Sequence, residues 1–286
     1  YALGTAFPLF MLIYLGKKFR KSFPKGKSLI EVIRIRFGNK LFKLILILSI
    51  FYMTIFLIAE VTAVSILMKY ISGTDLWITA LIVIISSLLY TLYGGLRASI
   101  FTDNIQFIVF GLLLIIVFSY LLTFNKDIFS FEFIKSNRPF LLSSGYLPNY
   151  TAGLTFFIAV AATNLFHQGN WQRVYAAKNF EVLKRSLIIS FLIIMPIVFM
   201  MGFSGLIAVS KNPKVIPDLA FFSLLLKQEA LILSTIVIIL AISLTVSSID
   251  TLINAISSLI IIDGNKLLSF KGNYLKLSNK IIVFIS

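Results

Sequence analysis

Tyr93-Gly94-Gly95-Leu96-Arg97-Ala98, followed by Thr102-Asp103-Asn104-Ile105-Gln106, forms a polar hinge between two long apolar runs, 76–93 and 99–123. A bilayer crossing by an α-helix takes roughly 17–25 mostly apolar residues, and both runs reach that length. A Gly-Gly pair with Arg97 and Asp103 beside it reads as a turn at a membrane surface, because lipid-facing helix does not carry such charges. The runs are uninterrupted and do not alternate as barrel strands do. The fold class that follows is all-α, a polytopic integral membrane protein.

Working outward, further runs of this kind are 1–15, 43–69, 153–168, 186–209 and 230–262, with an eighth starting near 280. The run 153–168 is short and 230–262 is longer than a straight crossing requires, so breaks or tilt are expected there. Of the 286 residues, 59% are hydrophobic and 13% charged, against about 25% charged in soluble domains. The chain starts at Tyr1 and stops inside Ile281-Ile282-Val283-Phe284-Ile285. It is therefore expected to be an internal piece of a longer membrane protein, one transporter domain of about seven spans plus the start of another. Nothing in it has the form of a signal peptide.

The net charge of +15 is a matter of topology. Ten Lys/Arg lie from Lys17 to Lys43, opposed by Glu31. Arg97 follows the third span. Arg173, Lys178, Lys184 and Arg185 follow the fifth, and Lys266, Lys271, Lys276 and Lys280 the seventh. These basic loops alternate with loops of mixed charge (72–76, 125–151 and 210–229), so the positive-inside rule makes them cytoplasmic. A lipid bilayer with anionic headgroups is the partner this pattern fits, and nucleic acid is not. Ser28-Leu29-Ile30-Glu31 has the form of a capping box and opens a short amphipathic helix at the inner surface.

Polar residues inside spans are costly and face a protein interior or a wet cavity. Ser243, Ser247, Asp250 and Asn254 recur at i, i+4, i+7 and i+11, which places them on one stripe of the seventh span. Their oxygens suit a hard cation; equally, serine hydroxyls bond back to the preceding turn and merely pack helices. Glu60 stands in the middle of the second span, at a cost of about 2.5–3.5 kcal/mol if charged. It is protonated, paired or turned to a hydrated site. At the end of the fifth span, Asn164, His167, Gln168, Gly169 and Asn170 interrupt the apolar helix. Freed backbone at such a break can bind a ligand. Alternatively, Trp171, Arg173 and Tyr175 form an interfacial belt at headgroup level. His167 is the only His and there is no Cys, so no transition-metal site is expected. The chain has no G-x-G-x-x-G, P-loop, Ser-x-x-Lys or His-Glu-x-x-His, and no catalytic constellation, so it does not read as an enzyme.

Three stretches together resemble one family. Tyr90 to Gln106, with Gly94-Gly95-Leu96, Thr102-Asp103 and Ile105-Gln106, is similar to the hairpin signature of the sodium:solute symporters. Gln172-Arg173-Val174-Tyr175-Ala176-Ala177-Lys178 is similar to that family's Q-R-x-x-A-A-K stretch. Ser247-Ser248-Ile249-Asp250-Thr251, with Ser257-Ser258 and Asp263, resembles its sodium-site helix. The resemblance implies a ten-helix inverted-repeat fold, of which the visible spans are core helices two to eight and the start of nine. It implies sodium (Na+) held by the hydroxyls of Ser247 and Ser248 and the carbonyl of Leu244, with carbonyls of core helix one completing the site. Ala is more usual than Leu244. It also implies a solute cavity lined by Glu60 and Asn164, and structural or gating roles for Gly94, Gly95, Arg97, Asp103 and Asp250. Sugar-transporting relatives carry an amide where this chain has Glu60, which favours an amide- or ammonium-bearing solute such as urea or an amino acid. The implied function is sodium-coupled import of a small polar solute across the plasma (inner) membrane by alternating access. The alternative is a symporter-like membrane sensor module of a signalling kinase.

Overall fold

The computed structural model describes residues 1–24, 26, 28–124, 131–212, 214–226, 231–264 and 266. The expected span beginning near 280, the basic residues Lys25, Lys27, Lys271, Lys276 and Lys280, and part of the 125–151 connection lie outside these. The elements are α1 (Ala2–Ser22), α2 (Leu29–Ser72), α3 (Leu76–Phe124), α4 (Glu132–Asn137) and α5 (Leu147–Phe166). They continue with α6 (Gln168–Ala176), α7 (Phe180–Lys211), α8 (Ala220–Leu226) and α9 (Leu231–Ser258), which ends in a π-helical turn, Leu259–Gly264. No strand occurs among the described residues.

Each run expected to span up to residue 262 coincides with helix. Among the described residues, four stretches are long and apolar enough to cross a bilayer: Leu29–Ser72, Gly94–Tyr120, Phe180–Lys211 and Ser234–Gly264. Their backbone groups are satisfied within the helix, as hydrocarbon surroundings require. Many of their hydroxyls bond back one turn in the same way, as in Thr54 to the Ile50 carbonyl at 2.8 Å and Ser65 to that of Val61 at 2.8 Å. Ser28 caps α2 by accepting from the Glu31 N–H at 3.0 Å, as the capping-box form predicts. Two breaks set the geometry. Gly38 (φ 82) divides the surface segment of α2 from its long apolar part, and Gly95 (φ 54) divides α3 at the polar hinge. Both angles lie in the region that residues with a Cβ rarely enter.

The chain divides into two compact units. The first comprises Tyr1–Met11, Phe110–Leu165 and Lys184–Leu240. It is held by aromatic contacts: Phe7 on Phe157, Phe10 on Phe191, and Phe118 on Phe221. The second comprises Leu12–Val109, Phe166–Leu183 and Ala241–Ser286. In it α9 packs on both earlier long helices. Leu252, Ala255 and Leu259 join Ile30, Phe42, Leu46 and Met53 of α2, while Ile249 and Ile253 join Val61, Val64 and Val83.

Trp171 departs from the expected headgroup belt. It is fully buried and stacks on Phe19 at 5.2 Å between ring centroids, while Arg20 donates to the Val174 carbonyl at 3.2 Å. The physical reason is that α6 packs against α1, which gives the indole an apolar wall worth more than an interfacial position.

Candidate functional site

α9 brings the polar stripe into the second unit with burial increasing along it. Ser247 and Ser248 are half-buried, whereas Asp250 and Asn254 are fully buried. Three side chains that follow the Gly95 break reach this stripe from α3. Asp103 accepts from the Ser247 hydroxyl at 2.5 Å, a short charge-assisted bond. Thr102 and Ser99 stand 3.2 Å from the two carboxylate oxygens of Asp250. The glycine pair makes this approach possible. A Cβ at Gly94 would run into that of Ala98, and Gly95 carries the turn.

α6 supplies the third component. The fifth expected span breaks as its amides and glycine predict: α5 ends at Phe166, and His167 caps α6 by accepting from the Gly169 N–H at 3.1 Å. That capping role satisfies the one histidine. Gly169 lies so close to α9 that a Cβ would come within 2.8 Å of the Thr251 methyl. On the next turn of α6, Arg173 donates to Asp103 at 2.8 Å and to the Thr251 hydroxyl at 3.0 Å. Arg173 therefore joins α3 to α9 inside the second unit, where the interfacial-belt reading placed it among headgroups. Further along α6, burial and then the charge of Glu31 push the Tyr175 phenol above its usual range, so it stays neutral.

Ser248 takes the back-bonded position foreseen as the alternative for these serines, donating to the Leu244 carbonyl at 3.3 Å. Ser247 does not. Its proton is committed to Asp103, which leaves its oxygen lone pairs free to accept or to ligate. Arg97, on the hinge, is exposed and has no ion pair among the described residues. Glu60 is half-buried on α2, and no described residue donates a hydrogen bond to it. Asn164 is also half-buried and bonds back to the Val160 carbonyl at 3.0 Å. The two fall in different units.

A second ionic cluster closes the far end of α9. Lys266 donates to Glu31 at 2.8 Å and to the buried Asp263 at 3.0 Å, which ties the π-helical turn to the start of α2.

The segments meeting around Asp103, Arg173 and Ser247 are the three whose wording resembles one family, and a model of the Sodium:solute symporter family matches residues 2–280. The chain belongs to that sodium:solute symporter family. It is also similar to the protein named "Spermidine transporter DUR31" of Candida albicans, with 27% identity over 268 residues. That match covers 91% of this chain and 50% of the relative, so the chain spans about half the length of the curated relative it matches. Sequence reasoning about this symporter-family chain missed the partners Ser99, Thr102 and Thr251, and the bridging position of Arg173. The signals were the hydroxyls flanking Asp103 and Asp250, and the arginine that directly follows Gln172.

Proposed function

We propose that this protein is a sodium-coupled secondary active transporter that imports a small amide- or ammonium-bearing solute across the plasma membrane, with its basic loops cytoplasmic and seven spans in the region up to residue 262. The observation that carries the reading is Ser247, whose hydroxyl proton goes to Asp103 so that its oxygen is held inside protein with lone pairs available. Sodium is bound by Ser247, Ser248 and the Leu244 carbonyl, ligands of the hard oxygen type such an ion selects. Ser248 must turn from its back-bond to join them, which also frees the Leu244 carbonyl. Gradient-driven sodium works only through unequal affinity for the two access states. The rotation of Ser248 supplies one physical difference between a loaded and an unloaded site. Gly94 and Gly95 form the hinge, and Asp103 and Asp250 tie it to α9, with Arg97 on the cytoplasmic surface.

Solute contacts are assigned to Glu60 and to Asn164 in this account. A mid-membrane carboxylate is best stabilised by a cationic ligand, so an ammonium group opposite Glu60 and a polar group opposite Asn164 define the solute class. The name of the Candida relative makes polyamines the first members of that class to try, ahead of amino acids and urea. The test is uptake of labelled spermidine, putrescine, amino acids and urea by the full-length protein in proteoliposomes, under an inward sodium gradient and with potassium in its place. Sodium-dependent accumulation of one class supports the reading. Equal accumulation in potassium would refute the coupling, and no accumulation of any of them would refute the solute class.

A further inference from the structure

We infer that the Gly38 elbow of α2 carries a discrete site for an anionic phospholipid. Arg36, Lys40 and Lys43 take the headgroup phosphate, and the apolar stripe that follows them takes an acyl chain. This goes beyond the general attraction of basic loops to a bilayer, and it does not depend on the coupling ion.

Burial assigns the faces of α2 after the break. Phe42, Leu46 and Met53 are fully buried and pack with Leu252, Ala255 and Leu259 of α9. On the opposite side Leu44, Ile47, Phe51, Ile55 and Ile58 are 49–64% exposed. Lys40, Leu44, Ile47 and Phe51 recur at i, i+4, i+7 and i+11, so Lys40 heads this outward stripe. Lys43 stands one turn further on, four residues before Ile47, at the flank of the same stripe. From Leu44 to Ile55 the stripe measures about 16.5 Å at 1.5 Å per residue. That is close to one leaflet of a hydrocarbon core about 30 Å thick.

The charges sit where a headgroup would lie. Arg34, Arg36, Lys40 and Lys43 fall within ten residues, and no acid occurs from Val32 to Ala59. Glu31, just before them, takes Lys266 at 2.8 Å. Arg34 is half-buried, with its guanidinium 5.8 Å from the centre of the buried Phe42 ring, so it belongs to the packed side. Arg36, Lys40 and Lys43 are exposed and have no ion pair among the described residues. The Arg36 guanidinium lies 5.9 Å from the centre of the Phe37 ring, which is itself exposed, as is Ile35. A Cβ on Gly38 would meet nothing within 4 Å, so the elbow is open at this point. Lysines at the end of a spanning helix lay their stems along apolar surface and hold the ammonium at headgroup level. Bases there attract anionic lipid. The acyl-facing stripe directly beyond them commits the site to a lipid rather than to free phosphate.

The test is electron paramagnetic resonance of the full-length protein in phosphatidylcholine vesicles, with spin-labelled phosphatidylglycerol or spin-labelled phosphatidylcholine as the probe. It reads the preference of the protein for the anionic lipid. The natural sequence is compared with Arg36→Gln/Lys40→Gln/Lys43→Gln and with Lys18→Gln/Lys21→Gln/Lys178→Gln, which removes the same charge from exposed positions on other elements. The elbow variant is expected to lose the preference at least about fivefold, the effect of one base at an anionic surface, and the control to change it less than about twofold. Equal losses in the two variants would overturn a discrete site and leave only diffuse attraction. An unchanged preference in the elbow variant, or none in the natural protein, would also overturn it. Abolition of the preference by excess inorganic phosphate at constant ionic strength would assign these bases to a free anion instead of a lipid. Should the triple variant fail to insert, Lys40→Gln alone is expected to weaken the preference about fivefold, and an unaltered spectrum would overturn the proposal.

Discussion

The two units use similar apolar helices for different purposes. The first is held mainly by tilted and edge-on rings between helices, with many of its hydroxyls bonded back one turn. The second carries the ion pairs Arg173–Asp103, Lys266–Glu31 and Lys266–Asp263 and the carboxylate–hydroxyl network on α9. Hydropathy does not separate them. What does is whether a polar side chain reaches another helix or only its own preceding turn. A group that bonds back is satisfied at no cost to neighbours, whereas a group that reaches across fixes two helices and can later release them.

The contrast can be broken most severely at Trp171 in the second unit. Trp171→Ala removes a fully buried indole stacked on Phe19 and is expected to cost about 3–5 kcal/mol. Thermal unfolding of the purified protein should show it, and a loss under 1 kcal/mol would mean that α6 does not depend on this packing. Next is Arg173→Ala, which removes the donor to Thr251 and one of the two donors to Asp103, Ser247 being the other. Because Arg173 keeps 40% side-chain exposure, the expected loss is about 1–2 kcal/mol, below the full range for charged hydrogen bonds. Arg97→Ala, exposed and without an ion pair among the described residues, is expected to fall within about 0.5 kcal/mol of the natural protein. Equal losses for the two arginines would erase the distinction drawn here. In the first unit, Gly4→Val places a Cβ 2.9 Å from the Phe157 carbonyl oxygen and 3.2 Å from the Val160 Cβ. Overpacking of this kind is expected to cost about 1–3 kcal/mol. An unaltered melting temperature would show that the first unit yields more readily than its contacts imply.

Much of the fold was legible because membrane helices announce themselves by length and hydropathy, and because local chemistry is written locally. The Ser28–Glu31 cap, the break at His167 and the kink at Gly95 each depend on residues within a few positions of one another. Arg173 was not legible in the same way. Its acceptors, Asp103 and Thr251, lie 70 and 78 residues away in sequence, and hydropathy does not say which side of a short helix faces another. For the same reason Trp171 read as interfacial, an aromatic beside charges being common to both situations. Asp250 was visible as a polar residue on the α9 stripe, but the hydroxyls of Ser99 and Thr102 that meet it come from a different helix. The serine pair was readable from its spacing and its family wording. That one serine reaches Asp103 while its neighbour bonds back came only with the three-dimensional structure.

The most direct test is sodium activation of solute uptake in proteoliposomes for the Ser247→Ala/Ser248→Ala protein, with surface-intact insertion verified by labelling. Removing two hydroxyl ligands is expected to raise the half-activating sodium concentration at least about tenfold. Activation at the same sodium concentration as the natural protein would contradict the assignment of this serine pair to the coupling ion.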